Sequence, residues 1–367
     1  MNAPRVLLAG GGSGGHISPG LALSEAFQRR SPPLPCAFAC SNRAIDTEML
    51  QHAGAHAIPL PARPPTLRPA GFVRFLHGFR QSESALNNVI RMHDIERVVL
   101  LGGFVAAPAV RAARRRGIPS LLVNLDRVPG KANRWMRSRA TRVVSAVTTT
   151  QPFADTVTGM PIREAASPPG NQKHCRELLG LPTDCRVLLV TGASQGAGSI
   201  NKLIPHFAGK LPKLLDGWHI LHLAGPEARH EVEADWKANG KDNVTVFGFT
   251  HEMGPLWGAA DLVISRAGAC SVAEIESAAL PAVYIPYPHH KDQHQHHNAT
   301  PAVEETAARI VQDSSDPQRT SELLADAVRD LLTDSSALAS MRSAAEGRRT
   351  TNAADAIVDL ALTMPTS

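Results

Sequence analysis

A histidine placed where a glycine turn opens a helix is suited to accept a proton, and His16 directly follows Gly10-Gly-Gly-Ser-Gly-Gly15. A helix N-terminus disfavours the imidazolium, which leaves a neutral ring for an incoming hydroxyl. The same ring can instead hydrogen-bond the turn and only hold its shape, and spacing does not choose between the two. A second turn, Gly192-Ala-Ser-Gln-Gly-Ala-Gly198, carries no base. It sets Ser194 and Gln195 beside the backbone N–H of Gly196, a donor set that suits a pyrophosphate. One such turn is weak evidence, because a tight strand-to-helix junction needs glycine even with no ligand.

Three further segments carry reactive or recognising side chains. Ser271-Val-Ala-Glu274 reads first as a capping box, in which Glu274 reaches back to its own helix start. It reads second as a carboxylate at a strand end, able to accept both hydroxyls of a ribose. Five histidines stand between Pro286 and Ala299, but only His290 with His294 and His289 with His297 approach a ligand spacing on a helix. No metal site is therefore expected, and Asp292, Gln295 and Asn298 are read as partners for the hydroxyls of a sugar. Phe72-Val-Arg-Phe-Leu-His-Gly-Phe-Arg80 interleaves Phe72, Phe75 and Phe79 with Arg74 and Arg80. On a surface this is a patch for anionic lipid, and in the interior it is one face of an ordinary helix.

Strands must deliver these groups. Val6–Ala9 feeds the first turn, Pro35–Cys40 follows a helix over Leu21–Arg30, Arg97–Leu101 ends in Gly102-Gly103, and Ser120–Val123 ends in a polar loop. A stretch rich in Pro, Gly and Ser follows Gly159, after which the rhythm restarts with Val187–Thr191, His219–Ala224, Val244–Phe247, Asp261–Ser265 and Ala282–Ile285. Alternation of strand and helix predicts an α/β chain with parallel sheets whose ligands collect at the carboxyl ends of the strands. The expected domains are 1–158 and 159–349, with a helix at about 350–367 returning to the first.

Length and composition fit that reading. With 367 residues, 43% apolar and 19% charged, the chain can fill two packed domains. Five scattered cysteines with no Cys-x-x-Cys pair suit a reducing compartment. No apolar run has the length of a signal peptide core or a bilayer span, so a cytoplasmic protein is expected. A net charge of +5 admits an anionic substrate or membrane surface, while 4% aromatic residues argues against nucleic acid as a partner. Gly10 to Gly15 also satisfies the dinucleotide fingerprint G-x-G-x-x-G, but the acid expected after the second strand is replaced by Ser41-Asn-Arg43. Arg43 can hold the extra phosphate of NADP, so an NADP-dependent oxidoreductase stays open.

Taken in order, eight segments resemble the MurG family of glycosyltransferases: Gly10 to Gly20, Gly102 to Pro108, Pro129 to Asn133, Met160 to Arg163, Gly192 to Asn201, Phe249 to Met253, Ser265 to Ile275 and Asp292 to Ala299. The resemblance covers nearly the whole chain. It implies the GT-B fold, two Rossmann-like domains with parallel sheets facing a central cleft. It also implies an inverting, metal-independent transfer of N-acetylglucosamine from UDP-N-acetylglucosamine to an undecaprenyl-diphosphate-linked muramyl-pentapeptide, on the cytoplasmic face of the membrane and with no cofactor. The family's donor residues fall on Arg163, Ser194, Gln195, Gly196, Phe249, Met253, Glu274, Gln295 and Asn298, and its glycine loop and acceptor residues on Gly12, Ser13, Gly14, Gly15 and Asn133. His16 falls on the proposed base. The family's His-Glu-Gln-Asn tetrad falls on Val123-Asn-Leu-Asp126, where Asp126 is the remaining acid; Phe104 replaces a usual Tyr and Gly198 a usual Arg. The departures lie mostly on the acceptor side, which keeps open a related UDP-sugar transferase with another acceptor or an inactive donor-binding relative.

Overall fold

Runs such as Val6-Leu-Leu-Ala9 and Val187-Leu-Leu-Val-Thr191 have no polar face to offer water, so they are stable as strands only with both faces covered. The computed structural model describes residues 3–11, 14–66, 68–192, 196–314 and 316–365, and it places these runs in two six-stranded parallel sheets. The chain divides into two units, Met1–Arg163 with Asn352–Ser367, and Glu164–Thr351.

The first unit runs β1 (Val6–Ala9), α1 (Gly14–Gln28), β2 (Cys36–Ser41), α2 (Ala44–His52), β3 (His56–Leu60), α3 (Pro69–Met92), β4 (Arg97–Leu100), α4 (Gly103–Arg115), β5 (Ser120–Asn124), α5 (Lys131–Arg137) and β6 (Arg142–Ser145). Its sheet order is β3-β2-β1-β4-β5-β6. The second unit runs α6 (Gln172–Leu178), β7 (Arg186–Thr191), α7 (Gly198–Lys210), β8 (Trp218–Leu223), α8 (Arg229–Ala238), β9 (Val244–Phe247), α9 (Gly254–Ala259), β10 (Leu262–Ser265), α10 (Ala269–Ser277), β11 (Ala282–Tyr284), α11 (His294–Glu304), β12 (Ala308–Ile310), α12 (Pro317–Thr333) and α13 (Ser335–Gly347). Its order, β12-β11-β10-β7-β8-β9, is the same arrangement counted from its own first strand.

Each sheet therefore reverses its strand order between its first and fourth strands, and a crevice opens there at the carboxyl ends. Register fixes what meets at each reversal. Ala9 lies level with Leu100, so Gly10 comes beside the start of Gly102-Gly103; Thr191 lies level with Ser265, so Gly192 comes beside Arg266. Alternation along β7 fills both faces of its sheet. Leu188 and Val190 pack with Ile200, Phe207 and Val328, whereas Val187 and Leu189 pack with Trp257, Ile275 and Ala302. In the first unit Leu7, Ala9, Val98 and Leu100 pack with Val105, Ala109 and Met136.

The last helix, α14 (Ala354–Leu362), belongs to the first unit. Its orphan C-terminal carbonyls are met by Arg97, whose Nε donates to Ala361 O at 2.9 Å and whose guanidinium donates to Leu362 O at 3.0 Å. Near its start Asp355 accepts from Arg29 at 3.1 Å. The chain crosses between units at 163/164 and 351/352, a few residues beyond the composition break at Gly159. Asn352 is the reason, because its side chain bonds both the N–H and the carbonyl of Ile162, at 3.0 and 2.6 Å.

Candidate active site

His16 sits in the first turn of α1, half-buried, against the glycines that end β4. Gly102 has φ +105°, and a Cβ there would stand 2.8 Å from Asn133 Oδ1 and 3.2 Å from His16 Nε2, so only glycine leaves room for both side chains. Asn133 Nδ2 donates to Asn124 Oδ1 at 3.0 Å, and Asn124 Nδ2 donates to Ser145 Oγ at 3.0 Å and to the Asp126 carbonyl at 2.7 Å. His16, Asp126 and Asn133 thus come together around the carboxyl ends of β1, β4 and β5. Burial pushes the His16 pKa below its ordinary value, while the Asp126 and Asp46 carboxylates and a hydrogen bond with the Gly11 backbone pull the other way. The ring is neutral, with negative charge waiting for a proton to arrive.

Sequence reasoning missed Asp46. The acid sought at Ser41-Asn-Arg43 lies a few residues further on, wholly buried, and folds back so that its Oδ2 accepts from Ser41 Oγ at 2.6 Å and Ser41 N at 3.3 Å. A Cβ at Gly11 would meet the same oxygen at 2.7 Å. The signal was the carboxylate in the first turn of the helix after β2, but nothing in its spacing says that it turns inward under the glycines. Gly14 opens α1 and Gly15 follows it; Gly12 and Ser13 lie outside the described residues.

The second turn is backed differently. Ser194 and Gln195 lie outside the described residues. Gly196, at φ +73°, lies where any Cβ would fall 2.0 Å from the Ala224 carbonyl oxygen. That carbonyl accepts from Asn201 Nδ2 at 2.7 Å, Asn201 Oδ1 lies 3.2 Å from His222 Nε2, and His222 Nδ1 accepts from Trp236 Nε1 at 3.0 Å. Because the indole can only donate, the proton of His222 is on Nε2 and is given to Asn201. Burial pushes the His222 pKa down to about 3, so the chain of bonds is neutral.

A pocket of about 580 Å³ opens beside this turn, lined by Gly192, Gly196, Ser199, Arg266, Tyr287 and Gln295 among others. Arg266, at the end of β10, is buried; it pairs with Asp313 at 2.8 Å, donates to Ser199 Oγ at 2.6 Å and to the Ile285 carbonyl at 2.8 Å. Arg266, Ser199, Tyr287 and Asp313 were not singled out from sequence, although Arg266 occupies the strand end where ligands collect. Gln295 Oε1 accepts from Tyr287 N at 2.9 Å, and Asn298, buried on α11, donates to the Ala267 carbonyl at 3.3 Å.

Glu274 corrects one expectation. The N-cap of α10 is Gly268 with no side-chain cap, and Ser271 lies inside the helix, so Ser271 and Glu274 form no capping box. Glu274 Oε2 instead accepts from Trp257 Nε1 at 3.0 Å across to α9, whose N-cap is Met253. Phe249, just before, sets its ring edge-on to His251 at 4.7 Å. Arg163 was expected among the donor residues. It lies in the first unit, its Nε 3.7 Å from Glu25 Oε1.

The Phe72 segment forms the first turns of α3, largely exposed, and the helix becomes buried further along. Gly78, Ser82, Leu86 and Ile90 are buried, whereas Phe72 is 48% exposed, Val73 64% and Leu76 39%. Phe72, Phe75 and Phe79 stack in sequence at 6.2 and 6.1 Å and reach Trp135 at 6.4 Å. Arg111 lies over Phe79 and Arg139 over Trp135, at 5.6 and 4.1 Å. Among the described residues no helix is long and apolar enough to cross a membrane.

Comparison with known proteins agrees with this architecture. Residues 6–145 match the glycosyltransferase family 28 N-terminal domain and residues 187–359 the family 28 C-terminal domain. The chain is 33% identical over 371 residues to the UDP-N-acetylglucosamine–N-acetylmuramyl-(pentapeptide) pyrophosphoryl-undecaprenol N-acetylglucosamine transferase of Desulforudis audaxviator, covering 97% of each chain. It is 33% identical over 377 residues to the transferase of the same name from Mycobacterium tuberculosis, covering 98% of this chain and 89% of that one. Among solved structures, MurG of Acinetobacter baumannii superposes with a TM-score of 0.73 at 24% identity, covering 99% of this chain and 100% of that one. The UDP-GlcNAc 2-epimerase of Neisseria meningitidis, bound to UDP-GlcNAc, gives 0.65 at 14% identity, covering 98% and 100%. At these identities the structures establish the fold alone, GT-B with two Rossmann-like domains.

Proposed function

Because this chain belongs to the MurG family within glycosyltransferase family 28, we propose that it moves N-acetylglucosamine from UDP-N-acetylglucosamine to an undecaprenyl-diphosphate-linked muramyl-pentapeptide, the step from lipid I to lipid II. The observation that carries the reading is His16: a neutral imidazole at a helix start, faced by two carboxylates. As the acceptor hydroxyl attacks the anomeric carbon from the side opposite UDP, His16 takes its proton, and Asp126 and Asp46 stabilise the imidazolium that results. The configuration at the anomeric carbon inverts. Charge gathering on the leaving diphosphate is met by the backbone N–H groups that open α7, by Ser194 and Gln195, and by Arg163, so its departure needs no metal. Glu274 accepts the ribose hydroxyls, Gln295 and Asn298 the hydroxyls of the sugar, and the backbone from Phe249 to Met253 the uracil.

Exposed Phe72, with the half-buried Phe75 and Phe79 and with Arg74, Arg80 and Arg111, is the surface that rests on anionic lipid at the cytoplasmic face, as a peripheral contact.

One observation favours a second reading, a UDP-sugar-binding relative with a different acceptor or no turnover. Where the family carries His and Glu, Val123 and Asn124 are wholly buried, and the Asn124 amide is committed to Asn133, Ser145 and the Asp126 carbonyl. Calorimetry with UDP-N-acetylglucosamine, followed by UDP release with and without the lipid-linked acceptor, separates the cases. Saturable binding with acceptor-dependent release supports the first reading, and binding without release supports the second. NADPH binding in place of the UDP-sugar overturns both.

A further inference from the structure

We propose that His290, Asp292 and His294 form a site for a first-row divalent cation of the zinc class. One candidate ligand atom from each residue lies within 4.8 Å of the other two, which makes them a group that the described residues offer to a single ion. His290 and His294 stand four residues apart, but Asp292 falls off the helix face that such a pair would share, and α11 begins only at His294, so the three do not meet by helical spacing. A turn makes the difference. Gln293 N–H donates to the His290 carbonyl at 3.0 Å, and Gln293 itself takes the left-handed conformation at φ +46° before α11 begins at His294. The reversal folds His290 back over the start of α11, with its ring centroid 4.3 Å from that of His294, while His294 Nδ1 lies 2.9 Å from Asp292 Oδ1.

The donor set is the one such an ion prefers: two imidazoles and a carboxylate, with a fourth position left for water or another oxygen. Ligand atoms around zinc stand about 3.4 Å apart when each bond is about 2.1 Å long, and His290 and Asp292 are exposed, so their rotamers can close the remaining distance. Tyr287 supplies the support behind the ligands. Its ring packs on His290 at 4.9 Å and on His289 at 5.3 Å, and the Arg266 guanidinium lies over the same ring at 5.6 Å. An ion held here pins the turn 290–294 to the first turn of α11. The inference rests on ligand chemistry and not on the transfer reaction, and its test uses no sugar nucleotide.

The experiment is calorimetric titration of the full chain, freed of metal, with zinc chloride near neutral pH, repeated on H290A, D292N, H289A and H296A. One ion per chain is expected. H290A and D292N should each weaken binding by about 100-fold, while H289A and H296A leave it unchanged. A histidine-rich loop that collects zinc without a built site would lose affinity equally over the four variants, and that result overturns the proposal. So does the absence of saturable binding to the unaltered chain. A rise in the melting temperature with zinc that H290A abolishes is the independent second measurement.

Discussion

The first glycine turn and the second are the same device, a strand running into a helix beside the end of a neighbouring strand, and they differ in what lies behind the backbone. Asp46 and Asp126 stand behind the first, and a histidine faces them. Behind the second are a carbonyl, an amide and a histidine that burial keeps neutral, and at its mouth is an arginine matched to Asp313. Negative charge behind a base stabilises the proton that the base collects; behind a phosphate it would repel. The fold supplies two equivalent helix starts, and the buried groups give them different surroundings.

The sharpest way to break this contrast is to remove the base. H16A should lower turnover by about 10²- to 10⁴-fold while the dissociation constant for UDP-N-acetylglucosamine stays where it was; a parallel loss of donor affinity would erase the division of labour. Because burial holds the His16 pKa below 6.5 and the neutral ring is the active form, the acidic limb of kcat/KM is expected below pH 6.5. E274Q probes the other half. It keeps an acceptor for Trp257 but loses the charge, and should weaken donor binding by about 10- to 100-fold, the worth of a charge-assisted hydrogen bond, with kcat little moved. Unaltered donor affinity would remove Glu274 from the site. Replacing Phe72 and Phe75 together by Asp should reduce cosedimentation with anionic vesicles about tenfold or more, without touching donor binding in the second unit. The last test concerns the support of the second turn. His222 has a folded pKa of about 3, below its unfolded value, so the unfolded chain takes up the proton first and stability falls as pH drops from 6.5 toward 3. Its share is about 1.4 kcal/mol per pH unit, and acid denaturation of H222Q should show a slope shallower by one proton.

Interior strands were legible because burial on both faces demands continuous apolar residues, as in Val6–Ala9 and Val187–Thr191. The strands that escaped notice, His56–Leu60, Arg142–Ser145 and Ala308–Ile310, are sheet edges. An edge strand needs less apolar cover and tolerates residues such as Pro59 and Arg142, so its pattern is weak. At the candidate site, the glycine turn ending in His16 was legible because its residues are consecutive in the chain. Asp46 and Arg266 were not, since each acts through a contact made by the fold: Asp46 by turning back on Ser41, Arg266 by reaching Asp313 and Ser199 from a neighbouring strand end. Glu274 shows the opposite error, a local pattern that satisfies a capping rule while the helix starts elsewhere.

The return of α14 to the first unit bears on the order in which the protein is made. Glu164–Thr351 is one uninterrupted stretch and has all its strands as soon as it leaves the ribosome. The first unit, although its sheet is translated earlier, must wait for residues 352–365 before Arg97 finds the carbonyls of Ala361 and Leu362 and Arg29 finds Asp355. The half that carries His16 is therefore begun first and completed last, and a truncated product lacking its final helix would have a whole second unit and an unfinished first.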